Sequence, residues 1–164
     1  DITDGRVQTL DDLGIIPNPR FALVHGPLRL VLHGNCLDLG HLQGPFRLSQ
    51  TDIETADDLC TTARRVLTIE NETTFHELAK LQTSELLIQT SFPGSGTVSL
   101  LRRLPTTLEY WHFGDSDAAG FEILRVLRVK SGRDFRPLHM KSGRVPSEQE
   151  SLGRPTRQTW PFYD

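Results

Sequence analysis

Three times between residues 66 and 129 a short apolar run leads through a loop into a stretch with helical spacing. The units are Val66 to Ile69 before Thr73 to Leu81, Leu86 to Thr90 before Thr97 to Leu104, and Glu109 to Phe113 before Ala118 to Val129. Strand alternating with helix imposes right-handed crossovers, so this array predicts an α/β fold with a parallel sheet flanked by helices. A fourth strand is expected near Pro137 to Met140. In such a sheet, ligands collect beyond the carboxyl ends of the strands, and the loops opening at Glu70, Ser91 and His112 are therefore the places to look for chemistry.

Upstream the pattern is different. Phe21 to His25, Leu28 to Leu32 and further short apolar segments up to Leu48 are punctuated by Gly26-Pro27, His33-Gly34-Asn35, Gly40 and Gly44-Pro45, which predicts a small antiparallel β meander. Asp52 to Arg65 is expected to be helical, with Thr51 or Thr55 as its cap. At roughly 150 residues per domain, 164 residues make one unit with appendages. The expected division is a meander extension over 1–50, a catalytic core over 51–140 and a basic irregular arm over 141–164.

No apolar run approaches the ~20 residues of a membrane-spanning helix. Cys36 and Cys60 are too far apart in sequence for a Cys-x-x-Cys pair, and nothing reads as a signal peptide, so a cytoplasmic protein is expected. Because the chain opens at Asp1 without Met, it is expected to be a piece of a larger protein.

The net charge of −3 conceals a gradient. Residues 1–77 carry 6 basic and 12 acidic side chains, whereas residues 125–160 carry 9 basic and 3 acidic ones. A basic stretch that includes Arg133, Arg136 and Lys141 suits contact with a phosphate backbone, and it equally suits a solvated helix face followed by a loop. His25, His33 and His41 recur every eight residues but lack acidic or thiol partners at ligand spacing, so turn and edge positions are the expectation for them.

The chemistry-bearing residues stand at the strand ends. Glu70 follows the first strand, and His112-Phe113-Gly114-Asp115-Ser116-Asp117 follows Tyr110-Trp111 in the third. Three carboxylates, Glu70, Asp115 and Asp117, are thus directed to one sheet edge. Carboxylates at close range repel, and a hard divalent cation relieves that; Mg2+ suits an all-oxygen ligand set, with Mn2+ as a substitute. A purely structural reading stands beside this one. Asp117 before Ala118-Ala119-Gly120 is a good helix N-cap, and Thr74 with Glu77 has capping-box spacing. The second loop, Ser91-Phe92-Pro93-Gly94-Ser95-Gly96-Thr97, could present N–H groups to a phosphate or be a tight turn. Tyr110 is expected to point into the sheet, which leaves no tyrosine nucleophile near the carboxylates.

The stretches Leu67-Thr68-Ile69-Glu70-Asn71, Thr74-Phe75-His76-Glu77-Leu78, Phe92-Pro93-Gly94-Ser95-Gly96 and His112 through Leu124 occur in this order. Together they resemble the C-terminal Toprim domain of the JetD family, the nuclease subunits of Wadjet plasmid-defence systems. The resemblance covers about residues 20 to 140. It implies a Toprim, Rossmann-like fold related to the A subunit of topoisomerase VI, in which Glu70, Asp115 and Asp117 bind Mg2+ and cut DNA. It further implies double-stranded plasmid DNA as substrate, an SMC-like motor, a kleisin and a small accessory subunit as partners, and a homodimer. Gly94, Ser95, Gly96, His112, Arg133, Arg136 and Lys141 are the candidate DNA contacts. Two other functions compete: topoisomerase-type strand cleavage with a tyrosine from outside this chain, and a non-catalytic DNA-binding or scaffolding module.

Overall fold

The computed structural model describes residues 19–140. In chain order the elements are β1 (Phe21–His25), β2 (Leu28–Leu32), β3 (Asn35–Asp38), a 3-10 turn (Leu39–His41), β4 (Phe46–Ser49), α1 (Gln50–Thr55), β5 (Asp58–Thr61), β6 (Arg65–Ile69), α2 (Glu72–Ala79), β7 (Leu86–Gln89), α3 (Ser95–Arg103), β8 (Glu109–Phe113), α4 (Ala118–Ser131) and β9 (Phe135–Pro137).

Six strands form one sheet in the order β4-β1-β7-β6-β8-β9. The last four run parallel, while β1 is antiparallel to both β4 and β7. Val66 to Ile69 are all buried, as a central strand covered on both faces requires. One face carries the main core, in which Val66, Ile88 and Tyr110 pack with Leu100 and Leu101 of α3 and Ile123, Leu124 and Leu127 of α4. The other face is narrower: Leu67, Ile69 and Leu87 lie under Phe75 and Ala79 of α2. The three strand–loop–helix units and the fourth parallel strand are thus present, β9 beginning at Phe135 rather than at Pro137.

The meander is divided between two sheets. β2 pairs with β3 and β5 in a separate antiparallel sheet, whereas β1 and β4 join the large sheet, so strands on both sides of residue 50 share it. The helix expected over Asp52 to Arg65 is a correction: α1 ends at Thr55, and Asp58–Thr61 is strand. The Asp57 N–H bonds the Val31 carbonyl at 2.8 Å, and Leu59 is buried while Cys60 faces out. Pairing with β2 satisfies the backbone there and alternates the side chains, and this overrides helical spacing.

The caps also differ from expectation. Ser49, not Thr51 or Thr55, caps α1 by accepting from the Asp52 N–H at 3.1 Å. Asn71, not a Thr74–Glu77 box, caps α2 by accepting from the Thr74 N–H at 2.9 Å. His33 lies in a turn at φ 48°, His41 ends the 3-10 turn, and His25 is buried at the end of β1. Among the described residues no helix is long and apolar enough to cross a membrane. The arm over 141–164, with Lys141, lies outside the described residues, as do residues 1–18.

Candidate active site

β6 and β8 are neighbours in parallel register, with Thr68 opposite His112 and Ile69 opposite Phe113. Glu70 and the loop from Gly114 therefore leave the sheet side by side. The Glu70 N–H bonds the Phe113 carbonyl at 2.9 Å, carrying the pairing one residue past the strands. Beyond it, the Asp115 N–H donates to Glu70 Oε2 at 3.0 Å. The side chain of Gln89, from β7 on the other flank, donates to the Glu70 carbonyl at 3.0 Å. The ends of β6, β7 and β8 thus fix Glu70.

Two glycines allow the third loop to lie this close. A Cβ on Gly114 would stand 2.6 Å from His112 Nε2 and 2.8 Å from Glu70 Oε2. A Cβ on Gly120 would stand 2.0 Å from the Asp115 carbonyl oxygen. A side chain at 120 would collide with the backbone of the loop itself, whereas one at 114 would displace the Glu70 carboxylate or the His112 ring.

Asp117 caps α4, its Oδ1 accepting from the Gly120 N–H at 2.8 Å. The structural reading of this residue is therefore realised, and it places a carboxylate at the positive end of the helix dipole. Asp115 and Asp117 are exposed, and Glu70 is half-buried. As a donor set the three suit a hard cation, being all oxygen with no thiolate beside them. They do not form a finished cage: among the described residues no three His, Cys, Asp or Glu side chains gather closely enough to hold a metal ion. One oxygen of Glu70 accepts from the Asp115 amide and one of Asp117 from the Gly120 amide. Mg2+ does not require such a cage, because it keeps several waters and commonly takes one or two carboxylates together with substrate phosphates.

His112 lies beneath this edge. It is fully buried, which removes it from reach of DNA, and its Nδ1 is 2.8 Å from the Thr68 hydroxyl. Nε2 is buried without a hydrogen-bond partner. Burial pushes the imidazole down to about 4, so the ring is neutral at physiological pH.

The second loop is tied inward. A Cβ on Gly94 would meet Pro19 at 2.6 Å, and one on Gly96 would meet the Phe21 backbone at 2.5 Å. The Gly96 N–H is spent on the Pro19 carbonyl at 3.2 Å, and the Ser95 hydroxyl donates to Gln50 Oε1 at 2.6 Å. These glycines are explained by close approach of the chain to β1.

The basic residues are also partly committed. Arg133 Nη2 donates to the carbonyls of Arg102 and Leu104, both at 2.9 Å, and Arg128 Nε to that of Phe135 at 2.8 Å. Arg103 Nη1 reaches the carbonyls of Ile53 and Ala56 at 2.7 and 2.8 Å, closing the open end of α1. Arg136 is exposed, with its guanidinium 5.6 Å from the centre of the Trp111 ring. The residues that the sequence reading missed are Thr68 and Gly114. Their signal was present in the equal distance of Thr68 and His112 from the ends of their strands.

Residues 27–160 match the family described as Wadjet protein JetD, C-terminal. The chain is 28% identical over 139 residues to the Wadjet protein JetD of Bacillus cereus strain Q1, an alignment covering 81% of this chain and 34% of that protein. The chain spans about a third of the length of that curated relative.

Proposed function

The chain belongs to the JetD C-terminal family, and from that premise we propose that it is a Toprim-type, Mg2+-dependent DNA endonuclease domain acting in Wadjet plasmid defence. Its substrate is closed circular double-stranded DNA. It works as a homodimer beside an SMC-like motor, a kleisin and a small accessory subunit. The observation that carries the reading is the bond from the Asp115 N–H to Glu70 Oε2 at 3.0 Å, which joins carboxylate-bearing loops from two adjacent parallel strands.

Glu70, Asp115 and Asp117 are the residues that would hold Mg2+, or Mn2+ in its place. When bound, the ion supplies charge neutralisation at a phosphate oxygen and makes a water more acidic. Each residue of the chain has a separate task. Asp117 fixes the start of α4 and with it the loop. Asp115 presents an exposed carboxylate to incoming DNA. Glu70 accepts a proton from the attacking water or orients it. Arg136 offers an exposed guanidinium to the backbone.

Two experiments test this reading. Closed circular plasmid cleavage by the assembled complex stops on chelation and returns with Mg2+ or Mn2+; cleavage that persists in chelator contradicts the proposal. Denaturing electrophoresis of the reaction shows no protein covalently joined to DNA, whereas an adduct would favour topoisomerase-type cleavage through a tyrosine from outside this chain.

A further inference from the structure

One strand over from Glu70 lies a cavity that no part of the proposed cleavage step uses. Its volume is about 310 Å³, and Phe21, Leu23, Gln89, Thr90, Ser91 and Phe92 are among the residues that line it. Leu23 of β1 stands opposite Gln89 of β7, and Phe21 lies two positions before Leu23, so the three share one sheet face. Ile69 is paired with Gln89, and the Thr90 N–H bonds the Ile69 carbonyl at 2.9 Å, so the cavity lies at the level at which Glu70 leaves the neighbouring strand. Adjacent strands are about 5 Å apart, which puts the cavity beside the candidate site. Gln89 joins the two, lining the cavity while its Nε2 donates to the Glu70 carbonyl at 3.0 Å.

The lining limits what the cavity can take. Ligand pockets run from roughly 300 to 1,000 Å³, and a volume near the lower end suits a guest of one ring system. None of the lining residues is charged, which argues against an ion or a phosphate group as the guest. Phe21, Leu23 and Phe92 give apolar and aromatic walls, with Phe92 40% exposed, while Gln89, Thr90 and Ser91 bring amide and hydroxyl groups. A cation stands beside this lining: the exposed Arg47, opposite Leu23 on β4, has its guanidinium 4.4 Å from the centre of the Phe21 ring. An uncharged aromatic hollow with a cation at its border is complementary to a nucleotide, the flat base inside and the phosphate on the arginine. Resting on the reading of DNA as substrate, we propose that this cavity takes one base, drawn out of its stack, of the DNA strand engaged at Glu70. Phe92 is the stacking surface. Leaving the stack is costly for a base in a relaxed duplex, and the aromatic contact offsets that cost. A base held here anchors the strand one sheet spacing from the carboxylate.

The test uses the full-length protein and two short single strands of DNA: one of deoxyadenosine nucleotides, the other the same sugar–phosphate backbone without bases. Phe92→Leu keeps an apolar side chain and removes the ring, whereas Phe92→Tyr keeps the ring. Phe92→Leu is expected to bind the base-bearing strand about tenfold more weakly than wild type, with affinity for the abasic strand unchanged. Phe92→Tyr is expected to stay within about threefold of wild type on both strands. Equal loss for both strands in Phe92→Leu, no loss for either, or Phe92→Tyr as weak as Phe92→Leu overturns the inference. So does a Phe92→Leu protein that binds both strands as wild type does but no longer assembles with its partner subunits, since that assigns the cavity to a protein side chain.

A second readout needs no variant. A single strand carrying 5-iododeoxyuridine is photocrosslinked to wild-type protein and the attachment mapped by mass spectrometry; attachment at Phe92 or Phe21 supports the inference, and attachment only elsewhere overturns it. Neither Mg2+ nor cleavage enters these measurements, so the two levels of the argument separate. Affinities unchanged in Phe92→Leu, beside plasmid cleavage that stops in chelator, overturn the base site alone. Base-specific loss in Phe92→Leu, beside plasmid cleavage that persists in chelator, overturns the nuclease reading and supports the base site.

Discussion

Glu70 and Asp115, 45 positions apart in the chain, are joined by a backbone N–H to carboxylate bond of 3.0 Å just past the ends of two parallel strands. This bond makes an otherwise ordinary α/β sheet edge a candidate site, because it ties the first loop of the array to the third. The bond lies at a half-exposed position and is one charge-assisted contact, so Glu70→Ala should cost only about 1 kcal/mol in denaturant unfolding. The same substitution should abolish cleavage, a split between stability and function that a merely structural glutamate would not show.

Asp117 should separate into two roles by substitution. Asp117→Ala removes the acceptor for the Gly120 N–H and is expected to cost about 1 kcal/mol, read as a shift in the urea midpoint. Asp117→Ser restores the cap and should recover that stability without recovering plasmid cleavage. Recovery of both would leave Asp117 as a cap alone.

Gly120 is where the third loop is least tolerant. A Cβ there would stand 2.0 Å from the Asp115 carbonyl oxygen, part of the backbone that presents the loop. Gly120→Ala should therefore destabilise by about 1–3 kcal/mol through overpacking and eliminate cleavage. Thermal unfolding and plasmid cleavage measured on the same preparation check both effects.

Arg103 and Arg136 should behave in opposite ways although both are exposed cations. Arg103 closes α1 through the Ile53 and Ala56 carbonyls, so Arg103→Met should cost about 2 kcal/mol of stability and leave the salt dependence of DNA binding unchanged. Arg136→Ala should leave stability nearly unchanged and reduce the slope of log affinity against log salt by about 1. Binding titrations across a salt series distinguish them.

His112 gives stability a sign with pH. Its folded-state value of about 4 lies below the 6.5 of the unfolded chain, so the unfolded state takes up the proton first as pH falls. Its contribution is complete above pH 6.5 and is lost between there and about 4, on the order of 3 kcal/mol in all. Buried Glu85, whose carboxyl is raised by burial, acts in the opposite sense, losing its contribution as pH rises. The difference between wild type and His112→Gln across this window, rather than the raw slope, therefore reads the effect. Urea unfolding at pH 7.5 and pH 5 should show the variant to be less acid-sensitive.

Much of this architecture was legible in the residues. The alternation of apolar runs and helical spacing from Val66 onward identified the parallel strands and their helices, because continuous burial leaves continuous apolar runs. The segment 52–65 was misread because Ile53, Ala56, Leu59 and Ala63 fit a helical stripe, while what decides Asp58–Thr61 is its pairing with distant Leu28–Val31. The partners of the arginines were equally hidden, since the carbonyls that hold Arg103 and Arg133 lie about 30 to 50 residues away in sequence. At the site, the strand-end positions of Glu70, Asp115 and Asp117 could be read, but their bonding could not. Which amide Glu70 accepts depends on register across β6 and β8 and on two glycines whose importance is steric.

Cleavage of closed circular plasmid by the assembled complex carrying Asp115→Asn tests the account most directly, because that change keeps the shape and backbone of the loop and removes only the charge. Cleavage is expected to fall at least a hundredfold while complex assembly and DNA binding persist. An Asp115→Asn complex that cuts at the wild-type rate would contradict the account.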